Sequence, residues 1–127
     1  MTGRPVRGMI VEVDLDPVMG HEQGRSRPCV VVQNDAGNRF SSMTIVVPLT
    51  DATHLRRPSA IYILAKKGDG GLRKDSIFLG DQIRAVDLVR VRRVIGVLSP
   101  QTMAAVDRAL MISLGLARGS KSLTDTR

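Results

Sequence analysis

The stretch GHEQGRSRP, residues 20–28, sets an imidazole, a carboxylate, an amide and two guanidinium groups between two glycines and a proline. A guanidinium offers a rigid fork of N–H donors that matches phosphate oxygens. An imidazole takes and gives protons at neutral pH, so His21 could move one. Glu22 and Gln23 can hydrogen-bond base edges or orient a neighbouring group. Glycines let a ligand backbone come close. A polar loop between two strands uses the same residue types for solubility, so composition alone leaves both readings open.

Three more places could do chemistry. Thr50 closes an apolar run, where its hydroxyl can reach a cleft or bond to the nearby backbone. GDQIR, residues 80–84, puts Asp81, Gln82 and Arg84 at an expected kink, either as a site or as a bulge with solvated groups. RVRR, residues 90–93, is a phosphate-contacting strip or a solvated strand face.

Several other chemistries find no support. The single cysteine, Cys29, sits in the run CVVV and reads as a buried, inert thiol; one cysteine also excludes an internal disulfide framework. With two distant histidines it gives no zinc spacing, and no metal or cofactor is expected. GDGG, residues 68–71, reads as a hairpin turn rather than a phosphate loop, and no serine lies in a nucleophile elbow. No apolar run approaches the roughly 18 residues of a membrane span, and the N-terminus lacks a signal-peptide core. The expected location is the cytoplasm.

The elements that must position these residues are mostly strands. MIVEVDL, residues 9–15, alternates: Met9, Val11, Val13 and Leu15 share one face, Glu12 and Asp14 the other. CVVVQ (29–33) reads as a strand buried on both faces, and NDAGNR (34–39) as a turn. TIVVPLT (44–50) is a strand whose Pro48 is expected at an edge or bulge; a polar loop spans 51–59. AIYIL (60–64), SIFLG (76–80), QIRAV (82–86) and VRRVIGVL (91–98) follow, the middle two being separate strands or one strand broken at Gly80. Ser99 then caps a helix with Pro100 at its first position, and Met103, Val106, Leu110 and Leu114 form its apolar stripe. The expected fold is mainly β with a C-terminal helix: a small antiparallel barrel or sandwich in one domain over 1–117, with 118–127 as a disordered tail.

The chain of 127 residues carries a net charge of +7, which favours an anionic partner or simply solubility. Its aromatics are only Phe40, Tyr62 and Phe78, too few for an extended base-stacking platform. Any hold on nucleic acid would rest on phosphate contacts and hydrogen bonds.

The ordered series RG.I..VDLDP..G.EQG..RP.VVVQND..NR, continued by DSIFLGDQIRAVD (75–87) and VDRALMISLGL (106–116), resembles the MazF/PemK/Kid toxins of bacterial type II toxin–antitoxin systems. The likeness spans roughly residues 7–116. It implies an SH3-like barrel acting as a homodimer, and metal-free, sequence-specific cleavage of single-stranded RNA by 2′-OH attack. It also implies an acidic, partly disordered antitoxin that blocks the groove. By position in the motifs, the residues at the scissile phosphate would be Arg27 and Thr50, with His21 and Asp81 as in Kid-like members. Leu79 stands where those members carry an arginine. Base contacts would fall to Glu22, Gln23, Asp81 and Gln82 and to the loops at 51–59 and 66–74, and flanking phosphates to Arg25, Lys74 and Arg84. The competing expectation is a non-enzymatic toxin of the related CcdB type, which binds DNA gyrase.

Overall fold

The computed structural model describes residues 3–17, 19–54 and 58–118. Among them the strands are β1 (Met9–Asp14), β2 (Ser26–Val31), β3 (Met43–Asp51), β4 (Tyr62–Ala65), β5 (Ser76–Leu79), β6 (Arg84–Asp87) and β7 (Val91–Val97). Two helices, α1 (Asp35–Phe40) and α2 (Pro100–Ser113), complete the set, with 3-10 turns at Ala52–His54, Asp69–Gly71 and Leu88–Arg90. The strands run β4-β5-β3-β2-β1-β7, β6 also pairs with β3, and every pairing is antiparallel.

The sheet curls on itself. β6 lies on β3, β7 lies on β1, and the 3-10 turn Leu88–Arg90 joins β6 to β7. Five strands thereby enclose one interior, filled by Val11, Val13, Leu15, Cys29, Val31, Val46, Val86 and Val91. The outer face carries a second cluster: Ile10, Val30, Val47 and Leu49 meet Phe78 from β5 and Val106, Ala109 and Leu110 from α2. Both faces of β2 are therefore buried, which is why its sequence is an unbroken apolar run. This is the small antiparallel barrel with a C-terminal helix that the pattern implies.

The structure corrects several boundaries. β2 begins at Ser26, so Arg27 and Pro28 belong to the strand and pair with Val13 and Glu12; the charge of the one and the missing N–H of the other hide this. NDAGNR is a short helix, not a turn: Asn34 caps it by accepting a 2.7 Å hydrogen bond from the Gly37 N–H. Residues that favour turns also favour helix caps, so the sequence does not separate the two. Pro48 lies inside β3 rather than at its end. There β3 passes from pairing β6 at Met43–Val46 to pairing β5 at Leu49–Asp51. A residue without an N–H disturbs the ladder least in that gap. β5 and β6 are separate strands, one paired with each of these two parts of β3.

KKGDGG does join β4 to β5, but it is more than a hairpin turn. Asp69 accepts hydrogen bonds from the Ser99 N–H (2.8 Å), the Ser99 hydroxyl (3.0 Å) and the Thr102 hydroxyl, tying this turn to the start of α2. α2 has the expected Ser99 cap and Pro100 start. Val106 and Leu110 are buried, Met103 packs against the outer cluster, and Leu114 stays 60% exposed. The RVRR segment is largely internal bonding. Arg92 and Arg93 pair with Asp14 and Glu12 on β1 at 3.2 and 3.1 Å, and Arg90 donates to the carbonyls of Asp14 and Asp16. No helix among the described residues is long and apolar enough to cross a membrane. Residues 119–127 of the expected tail and 55–57 of the polar loop lie outside the described residues.

Candidate active site

Side chains two apart on a strand point the same way. Cys29 and Val31 fill the barrel interior, so Arg27 continues that inward row at the start of β2. On β6, Arg84 stands two residues before the inward-facing Val86. Both arginines thus reach the same end of the barrel, where β1 ends and β3 runs out. The Cys29 thiol shows this electrostatically. Burial pushes it up to about 12, while the positive charges of Arg84 and Arg27 pull it the other way. This is the inert thiol expected.

The two guanidiniums are anchored by backbone, not by acids. Arg27 Nε donates to the Gly24 carbonyl at 2.9 Å, and Arg84 Nη1 donates to the Leu15 carbonyl at 3.1 Å. Among the described residues neither has a carboxylate partner, whereas Arg7, Lys74, Arg92 and Arg93 all do. Each guanidinium has five N–H groups, so most remain available to an anion.

Thr50 lies on β3 across from Arg27. β2 and β3 pair Val31 with Val46, Val30 with Val47 and Cys29 with Pro48. Carried two residues further, that register sets Arg27 opposite Thr50. Thr50 is 6% exposed, and its Oγ1 lies 3.3 Å from Nδ1 of His54. The 3-10 turn bearing His54 is braced by Asp51, whose Oδ1 accepts from the Thr53 N–H (3.0 Å) and hydroxyl (2.9 Å). The Thr53 N–H, then the Lys74 ammonium at 2.9 Å and the Thr53 hydroxyl, hold the Asp51 carboxyl well below the usual range.

The loop and the kink come together. The Gln23 N–H donates to Gln82 Oε1 at 2.8 Å, and the Tyr62 hydroxyl donates to Asp81 Oδ2 at 3.0 Å. Gly80 makes the kink possible: its N–H donates to the Ile61 carbonyl at 2.9 Å, and a Cβ at this position would sit 2.4 Å from that oxygen. Between them lies a small cavity of about 130 Å³ lined by Glu22, Gln23, Pro48, Asp81, Gln82, Ile83 and Arg84.

The remaining candidates sit apart. His21 is exposed and makes no hydrogen bond among the described residues. Glu22 Oε1 accepts from the Met19 N–H at 2.7 Å. Arg25 takes a left-handed backbone conformation (φ 62°), its N–H held by Asp16 Oδ1 at 2.8 Å and its side chain exposed. Lys74, paired to Asp51, lines a separate hollow of about 390 Å³ on the outer face with Pro28, Leu72, Arg93 and Ile95. His54 is the residue that sequence reasoning missed. Its one signal was a histidine four residues after Thr50, inside a loop otherwise read as solvated.

Two guanidiniums with spare donors, a buried hydroxyl and an amide-lined cavity suit a ligand with negative charge and polar flat edges. The comparisons with known proteins agree on the relatives. The family model described as PemK-like, MazF-like toxin of type II toxin-antitoxin system matches residues 6–114. The chain is 44% identical over 111 residues to an Endoribonuclease MazF of Staphylococcus epidermidis, covering 87% of this chain and 91% of that one. A solved endoribonuclease in complex with its cognate antitoxin, from a mycobacterial species, superposes with a TM-score of 0.73 at 25% identity, covering 89% and 97% of the two chains. A MazF crystal structure from Deinococcus radiodurans shares the fold at a TM-score of 0.75 and 24% identity, with 89% and 98% covered.

Proposed function

The chain belongs to the PemK-like, MazF-like toxins of type II toxin–antitoxin systems, a family of endoribonuclease toxins, and from that premise we propose that its barrel mouth cleaves single-stranded RNA at chosen sequences without a metal. The observation that carries the reading is the pair of guanidiniums at one end of the barrel, Arg27 opposite Thr50 and Arg84 on β6, held by carbonyls and left without acids among the described residues.

In the proposed reaction the ribose 2′-oxygen attacks the adjacent phosphorus as its proton leaves to a base. The bond to the 5′-oxygen breaks and that oxygen takes up a proton. The products are a 2′,3′-cyclic phosphate and a 5′-OH. Negative charge gathers on the non-bridging oxygens in the transition state, and a fixed guanidinium aimed there stabilises it more than the ground state. Arg27 takes this role, with Thr50 adding a hydrogen bond to the same oxygens. Asp81 and His21 move the protons. Glu22, Gln23, Asp81 and Gln82 read base edges from the small cavity, while Arg84, Arg25 and Lys74 meet flanking phosphates. A 2′-OH nucleophile restricts the reaction to RNA.

Its partners in this reading are a cognate antitoxin, acidic and partly disordered, and a second copy of the chain. Met111, Leu114 and Leu116 stay exposed at the end of α2, apolar surface that a two-fold interface would bury. The proposed location is the cytoplasm. Incubating the purified chain with a long RNA in EDTA tests the activity: discrete fragments with 5′-OH and cyclic phosphate ends are expected. Intact RNA would overturn the proposal.

A further inference from the structure

The Thr50 hydroxyl has one proton and two lone pairs to allocate. Burial leaves it little water, and His54 Nδ1 at 3.3 Å is its side-chain partner. The direction of that bond decides what Thr50 can offer a ligand. If Nδ1 lacks a proton, the hydroxyl donates to it and turns only lone pairs towards the barrel mouth. A phosphoryl oxygen is an acceptor, so that arrangement repels it. If Nδ1 carries a proton, Thr50 accepts from it and its own O–H is free to donate to a phosphoryl oxygen.

We propose that His54 is a positioning residue, resting on the reading of this site as RNA-cleaving: its Nδ1–H fixes the Thr50 hydroxyl as a donor to the scissile phosphate. The relay runs from Nδ1–H to Oγ1 and from O–H to the phosphoryl oxygen. Each bond polarises the next, so the hydroxyl becomes a better donor as charge grows on that oxygen. The imidazole is held for this task. Asp51 bonds twice to Thr53, the residue just before His54, and Lys74 neutralises the outer oxygen of that carboxylate. Arg27, set opposite Thr50 by the strand register, supplies the charge at the same place.

Single-turnover cleavage of a short single-stranded RNA, with RNA affinity measured in parallel, tests the relay. His54→Ala is expected to slow cleavage about tenfold with affinity unchanged, the loss of one hydrogen bond in the transition state. His54→Asn, whose amide N–H can stand where Nδ1–H stood, is expected to recover to within about threefold of wild type. In a Thr50→Ala background His54→Ala is expected to add less than about twofold, because the relay has already lost its middle member. A His54→Ala chain that cleaves at the wild-type rate overturns the role. So does a His54→Asn chain no faster than His54→Ala, or penalties at Thr50 and His54 that simply multiply. Intact RNA with the wild-type chain overturns the reading of the site, and this inference with it.

Discussion

At the scale of single residues, the site depends on charge that the fold leaves unspent. Arg27→Ala removes the fork that the proposed reaction sets against the phosphate and is expected to cut cleavage of single-stranded RNA by about 10²–10³, with circular dichroism unchanged. Arg27→Lys keeps the charge and loses the fork, so it is expected to recover only part of the rate. Thr50→Ala belongs to the same class, and wild-type rates in both alanine variants would place the chemistry elsewhere. Cys29 acts on stability rather than chemistry. Its thiol ionises near 9.0 when unfolded and near 12 when folded, so the native state holds that proton more tightly. The contribution is whole below pH 9 and is lost as pH rises towards 12. Urea midpoints are therefore expected to fall between pH 8 and 10.5, and to fall less in Cys29→Val.

At the scale of elements, the site is assembled by contacts between segments far apart in sequence. Gly80 lets β5 turn tightly against the carbonyl of Ile61, which presents Asp81 and Gln82 to the loop that carries Gln23. Asp69 does similar work on the outer face by fastening the β4–β5 turn to the first turn of α2. Partial burial pushes the Asp69 carboxyl up, but hydrogen bonds from Thr102 and Ser99 outweigh it and hold the group below its ordinary range. A lowered carboxyl stabilises the fold above its unfolded pKa, and that contribution fades as the solution is acidified below it. Asp69→Ala is expected to cost about 2–3 kcal/mol at pH 7 and to flatten the acid side of the stability profile, read by denaturant titration.

At the scale of the molecule, a net charge of +7 overstates what is offered to RNA. Arg92 and Arg93 lean on the acids of β1, Lys74 on Asp51, and Arg7 on Asp107 at 2.7 Å. Arg27 and Arg84, by contrast, keep most of their N–H groups free at the barrel mouth. If Arg27, Arg84, Arg25 and Lys74 make the phosphate contacts, log affinity for single-stranded RNA is expected to fall by roughly 3 per tenfold rise in salt. A slope beyond about −5 would mean that cations outside this set bind as well. Two-fold pairing through the exposed end of α2 is expected to give a dimer in sedimentation at micromolar concentration, and a monomer there would leave that apolar surface without its proposed cover.

The sequence by itself determined the strands, the capped helix and the ordered motif that carries the family. These rest on local alternation, cap chemistry and spacing, which short windows of chain contain. It also singled out GHEQGRSRP and GDQIR as polar stretches worth attention. It did not distinguish Arg27 from Arg25 except by likeness to relatives. Tertiary structure separated them physically, because β2 turns Arg27 along the inward row with Cys29 while Arg25 points out from a left-handed bend. The same holds for RVRR, whose Arg92 and Arg93 are engaged by acids that pairing brings from about 80 residues away. His54 was illegible for the opposite reason: a polar loop hides a partner until the strand end that faces it is in place. Which groups are spent and which remain free is a question of distance between segments, and only the closed barrel answers it.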